Sequence, residues 1–112
     1  MYDVLVVGGG VIGGMILREL SKYNLKVCLV EKQSDVAMGQ SAANSGIVHA
    51  GFDAAEGSLK AKFNVRGNAM MQNVCAELGV HYKNSGSLVI AFNESDLAML
   101  ENLKTRGENN GQ

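Results

Sequence analysis

The chain has 112 residues, with 46% hydrophobic and 19% charged side chains and a formal net charge of −1. That length suits one ordinary domain with a real core, and the composition excludes a disordered polyelectrolyte. A charge so close to zero gives no support to nucleic-acid binding or to a basic membrane-binding patch.

Asp3 to Val7 form a short apolar, β-branched run, the pattern of a strand buried on both faces of a parallel sheet. Glycines follow at 8, 9, 10, 13 and 14. Val11, Ile12, Met15, Ile16 and Leu20 then recur at helical spacing, opposite Arg18, Glu19 and Lys22, with Asn24 as a helix stop. Lys26 to Glu31 make a second apolar strand. Strand, glycine turn, helix and strand within about thirty residues is the size of one βαβ unit. The apolar run from Val4 to Leu17 is too short and too glycine-rich to span a membrane, and no secretory signal is visible.

Residues 32–57 show little periodicity and many small side chains, and read as a functional loop with a short helix around Gln40–Asn44. Ser58 caps a long helix with Leu59, Phe63, Arg66, Met70, Val74 and Leu78 on one face and Met71 beside them. Gly79 is its stop, and Gly67 weakens it in the middle. Val80–Lys83 and Ser87–Phe92 flank Asn84-Ser85-Gly86, a strand–turn–strand signal. Asn93 or Ser95 caps a last helix with Leu97, Leu100 and Leu103 on its apolar side, and the polar tail from Arg106 is expected to fray. The fold class expected is therefore α/β: a Rossmann-like βαβ unit over 1–31, a loop over 32–57, and helix, β-hairpin and helix over 58–112.

Gly8-Gly9-Gly10-Val11-Ile12-Gly13 matches G-x-G-x-x-G, and its context between strand and helix gives the match its weight. Gly8 permits the tight turn, Gly10 lets a pyrophosphate reach the backbone, and Gly13 lets the helix close on the sheet. The helix start favours phosphate charge. Glu31, at the end of the second strand, can accept from both ribose hydroxyls of an adenosine and repels a 2′-phosphate, so NADP is disfavoured. These residues alone do not separate FAD from NAD.

The following loop carries that distinction. Ser41-Ala42-Ala43-Asn44-Ser45-Gly46-Ile47-Val48-His49-Ala50-Gly51 resembles the flavin-facing loop of FAD-dependent oxidoreductases of the D-amino-acid oxidase superfamily. The nearest likeness is to the branch of glycerol-3-phosphate and L-2-hydroxyglutarate dehydrogenases and oxidases, which also have counterparts of Gly57–Ala61 and Gly86–Phe92. The resemblance implies FAD as cofactor. Gly8, Gly10 and Gly13, with Val11 and Ile12 between them, would hold the pyrophosphate. Glu31 would hold the ribose, flanked by Lys32, and Ser41, Asn44, Ser45 and Gly46 would line the path to the flavin ring. His49 would lie near that ring and is the one candidate catalytic residue. The implied chemistry is oxidation of glycerol 3-phosphate or a small anionic 2-hydroxy acid.

Lys60, Lys62 and Arg66 suggest anion binding or, more simply, a solvated helix face, and no metal-ligand pattern accompanies Cys28 or Cys75. Two unpaired cysteines and no leader point to a cytoplasmic location, with any membrane association peripheral. Family members are several times longer and return to the nucleotide-binding sheet with further strands. The chain thus reads as the N-terminal portion of an incomplete domain. Its uncovered sheet would be met by the rest of the enzyme, a separate subunit or a second copy. A non-catalytic FAD- or ADP-nucleotide-binding module is the alternative reading.

Overall fold

The computed structural model describes residues 1–112. Its elements in chain order are strand β1 (Val4–Val7), helix α1 (Val11–Leu20), strand β2 (Val27–Val30), helix α2 (Leu59–Leu78) and helix α3 (Glu94–Asn110). They fall into two compact units, Met1–Ile47 and Val48–Gln112.

In the first unit β1 and β2 pair in parallel, with Val4 opposite Val27 and Val7 opposite Val30. Five of the eight strand residues are valine, whose branched Cβ packs well on a pleated surface. Asp3 closes the start of the ladder. Its amide donates to the Lys26 carbonyl at 2.9 Å, and its Oδ2 accepts from the Lys26 amide at 2.8 Å. Gly8 extends the ladder into the turn by donating to the Val30 carbonyl at 2.8 Å.

The helix α1 covers one face of this pair, where Val6 and Gly13 are buried. Leu5 and Val7 point to the other face and stay 57% and 79% exposed. The expected burial of β1 on both faces is therefore corrected: a single crossover helix can cover only one side of a sheet. α1 also stops before Asn24. The Ser21 hydroxyl donates back to the Arg18 carbonyl at 2.7 Å, and the Ser21 amide still reaches Leu17 at 2.9 Å. Serine ends the helix by offering its carbonyls an alternative partner.

The short helix expected at Gln40–Asn44 is a run of turns. Ala42 and Ala43 make three-residue bonds to Gly39 and Gln40. The Asn44 side-chain amide reaches the carbonyls of Gln40 and Ser41 at 3.4 and 2.9 Å, displacing the backbone donors a helix would use.

In the second unit α2 begins where Ser58 Oγ accepts from the Ala61 amide at 3.1 Å. It ends at Gly79, whose φ of 65° lets Val80 donate to Cys75 at 2.9 Å. Its buried stripe is not its apolar one. Ala61 and Cys75 are buried, with Asn64, Val65, Asn68 and Met71 half-buried on the same side. Leu59, Phe63, Met70 and Leu78 are 49–69% exposed. The loop at Gly51 packs on the Val65 side of α2, so the less apolar face is the one covered.

The expected β-hairpin is absent: residues 80–92 form no ladder, and Leu88 and Phe92 are 89% and 87% exposed. An isolated pair of short strands is marginal in water without a third strand or a helix against it.

α3 opens with a reciprocal cap. Asn93 Oδ1 accepts from the Asp96 amide at 3.1 Å, and Asp96 Oδ2 accepts from the Phe92 amide at 3.0 Å. The tail does not fray at Arg106. Gly107 is buried against Phe52, and the side chains of Asn109 and Asn110 are bonded to residues 51–56, holding the helix to its last turn.

Candidate FAD-binding cleft

Gly9 and Val11, on either side of Gly10, are held by the segment that follows β2. The Gly9 amide donates to Glu31 Oε2 at 2.6 Å, and the Gly9 carbonyl accepts from the Ala37 amide at 3.0 Å. The Val11 amide donates to Ser41 Oγ at 2.8 Å. α1 has Gly10 at its N-cap, with no side chain of its own to bond the first turn, so the hydroxyl arrives from a residue 30 positions away. The amides of Ile12 and Gly13 have no intrahelical acceptor, as at any helix start, and the helix dipole adds partial positive charge there.

Each glycine of the fingerprint answers to a measurable constraint. Gly8 has a φ of 103°, disfavoured for side-chain-bearing residues. A Cβ on Gly13 would lie 1.9 Å from the Gly8 carbonyl oxygen, which is why the turn and the helix can meet. A Cβ on Gly10 would sit 3.1 Å from Ser41 Oγ and intrude on the mouth of the helix.

A cleft of about 490 Å³ opens at this point. It is walled by the turn, by Val11 and Ile12 of α1, and by Gln40, Ser41 and Asn44. The apolar wall is exposed: Val11 is 62% and Ile12 75% accessible.

Glu31 stands at the far side of the turn. Its Oε1 accepts from the Gln33 amide at 2.9 Å while Oε2 holds Gly9. The Gly9 amide, and then the Gln33 amide, hold its carboxyl below the usual carboxylate range. Both oxygens retain acceptor capacity, since an ionised carboxylate has about four lone-pair sites. Lys32 is exposed beside it.

The structure thus brings Gly8, Gly10, Val11, Ile12, Gly13, Glu31, Ser41 and Asn44 into one neighbourhood. Asn44 also shapes the loop, because its Oδ1 accepts from the Gly46 amide at 2.7 Å where Gly46 takes a φ of 66°. Ser45 is exposed on that turn. His49 belongs to the second unit, with an exposed side chain and a carbonyl bonded by Asn68.

Sequence reading missed Gly9 and Gln40. Gly9 occupies a variable position of the fingerprint, but a Cβ there would meet Val36 Cγ1 at 3.0 Å and Glu31 Oε2 at 3.3 Å. Three glycines in succession were the available signal. Gln40 had none, since a glutamine in an aperiodic loop looks like any solvated residue.

The family model described as FAD dependent oxidoreductase matches residues 3–112. This chain belongs to the FAD-dependent oxidoreductase family.

Among members, it is 50% identical to a glycerol 3-phosphate dehydrogenase of Caloramator mitchellensis, over 99% of this chain and 23% of that protein. It is 41% identical to a mitochondrial L-2-hydroxyglutarate dehydrogenase of Dictyostelium discoideum, over 99% of this chain and 25% of the relative. A solved structure of dithionite-reduced L-α-glycerophosphate oxidase from Mycoplasma pneumoniae with FAD bound superposes with a TM-score of 0.85. That match is 42% identical and covers 99% of this chain and 29% of the other. The chain therefore spans about a quarter of the length of the relatives it matches. FAD is the cofactor of this family, and the cleft fits it. The glycine turn itself puts no side chain in front of the helix start, and the Glu31 carboxylate and Ser41 hydroxyl lie on either side of it.

Proposed function

We propose that this chain forms the FAD-holding part of a flavoenzyme that oxidises glycerol 3-phosphate or a small 2-hydroxy acid. When bound, FAD supplies the hydride acceptor for the substrate's carbinol carbon. The chain's own residues bind and orient. Gly8, Gly10 and Gly13 keep the turn open, so the amide of Ile12 at the head of α1 meets the pyrophosphate, and that of Val11 acts on it through Ser41. Glu31 accepts from the ribose, with Lys32 flanking it. Ser41 turns one amide of the helix start into a hydroxyl donor, because an oxygen that accepts from Val11 can still give its own proton to a phosphate. Asn44, Ser45 and Gly46 shape the loop leading toward the ring, and His49 is the candidate to contact substrate or ring. In the same proposal the substrate is a small anion, and the exposed face of the sheet is covered by the rest of the enzyme or by a second copy. The two free thiols suit a reducing, cytoplasmic setting.

The observation that carries this reading is the 1.9 Å approach that a Gly13 Cβ would make to Gly8. A turn built so tightly at a helix start serves a ligand that must touch backbone. The test is an FAD titration followed by visible spectroscopy, then anaerobic addition of glycerol 3-phosphate or L-2-hydroxyglutarate to the full-length protein. Bleaching of bound flavin by one of them supports the proposal and selects the substrate. Flavin bound but never bleached supports the alternative, a nucleotide-binding module without turnover.

A further inference from the structure

The backbone carbonyls of His49, Ala50 and Gly51 are each held by a side-chain carboxamide. Asn68 Nδ2, on α2, donates to the His49 carbonyl at 3.3 Å. Gln112 Nε2 donates to the Ala50 carbonyl. Asn110 Nδ2, on α3, donates to the carbonyls of both Gly51 and Ala54 at 2.9 Å each. The same turn is pinned sterically. Gly51 has a φ of 111°, and a Cβ there would come within 2.9 Å of Val65 Cγ2. Gly107 lets α3 approach, since a Cβ on it would lie 3.1 Å from Phe52 Cβ.

A planar trans peptide carries its N–H opposite its carbonyl. Fixing three successive carbonyls therefore fixes three peptide planes, and turns the amides of Ala50, Gly51 and Phe52 away from the carboxamides. The backbone from which the His49 side chain springs loses its freedom to rotate. Neutral amides do this without bringing a charge near the histidine.

We propose that Asn68 and Asn110, seconded by Gln112, are positioning residues that set the backbone under His49. The inference rests on the function proposed above for its catalytic meaning, and on geometry alone for the clamp. An aspartate at either position is nearly isosteric but has no N–H to give, and it opposes its charge to the carbonyl dipoles.

The test uses Asn110→Asp and Asn68→Asp in the full-length protein, the second acting from a different helix should the first fail to fold. Hydrogen exchange of the segment 48–56 is read by mass spectrometry, together with FAD occupancy, kcat and KM. The expected result for Asn110→Asp is exchange about tenfold faster in that segment, the scale of losing two neutral hydrogen bonds. It comes with unchanged exchange in β1 and β2, full flavin loading, lower kcat and KM within about twofold. Unchanged exchange in 48–56 overturns the clamp. Faster exchange with unchanged kcat overturns the positioning role and leaves a structural brace. A wild-type protein that binds no flavin sinks the proposed function instead, and the exchange comparison still decides the clamp.

Discussion

At the scale of single residues, two adjacent glycines on α1 separate steric need from permissiveness. A methyl at Gly13 collides with the Gly8 carbonyl at 1.9 Å, and backbone atoms cannot step aside. Gly14 has open space around its added Cβ. Gly13→Ala should therefore cost about 3 kcal/mol and abolish FAD binding, despite alanine's better helix propensity. Gly14→Ala should stabilise by about 0.5–1 kcal/mol and leave the cofactor site intact. Urea melts of the two variants, with and without FAD, check both. Glu31 gives a prediction in pH. The Gly9 amide, followed by the Gln33 amide, lowers its folded-state pKa beneath the ordinary 4.5. Its contribution to stability is thus complete above that ordinary value and vanishes as pH falls through the folded one. Melting temperatures measured from neutral pH downward should drop less steeply for Glu31→Gln than for wild type. Glu19, lowered chiefly by its hydrogen bond to Lys22, acts in the same window, so Glu19→Gln is the necessary comparison.

Elements were legible in the sequence where local chemistry decides them. Ser58 and Asn93 cap α2 and α3 as expected, Gly79 adopts its left-handed stop, and the glycine turn separates β1 from α1. The candidate cleft could be assembled from the sequence for a related reason, since its turn, carboxylate and hydroxyl all lie within residues 8–41. What failed depends on neighbours. The run Ser87–Phe92 has strand composition but no partner to form a ladder. The apolar stripe of α2 was read correctly as a pattern, yet most of it is exposed, because periodicity shows that a side is apolar and not what lies against it. The polar tail of α3 looked solvated, yet its amides bond to a loop more than fifty residues away in sequence. The inverted face of α2 is testable. Phe63 is 55% exposed, so Phe63→Ser should cost no more than about 1 kcal/mol. Ala61 is 3% exposed, so Ala61→Leu should overpack and cost about 2 kcal/mol. Thermal unfolding in which Phe63→Ser proves the more damaging of the two would make the apolar face the buried one.

For the molecule as a whole, the governing fact is the supply of cover. The hydrophobic side chains exposed over less than a tenth of their surface are small or branched, Val6, Ala54, Ala61 and Cys75, and no large side chain is fully enclosed. Meanwhile Leu5, Val7, Leu88, Ile90 and Phe92 remain 57–89% exposed. Apolar exposure on this scale favours association. Relatives about four times as long have further chain with which to cover it. No helix here is long and apolar enough to cross a membrane, so these residues do not form a helical span. The 112 residues on their own should therefore associate with one another as concentration rises. Sedimentation velocity across a tenfold range of concentration should show growth beyond the monomer. Replacing Leu88, Ile90 and Phe92 together with serine should suppress that growth and leave the helical circular dichroism unchanged, because these residues take no part in α1, α2 or α3. A triple variant that associates as strongly as wild type would move the self-contact to the bare face of the sheet. Leu5→Lys would then be the change that breaks it, and a sheet face rather than an unpaired strand would be the surface this part of the family most needs to cover.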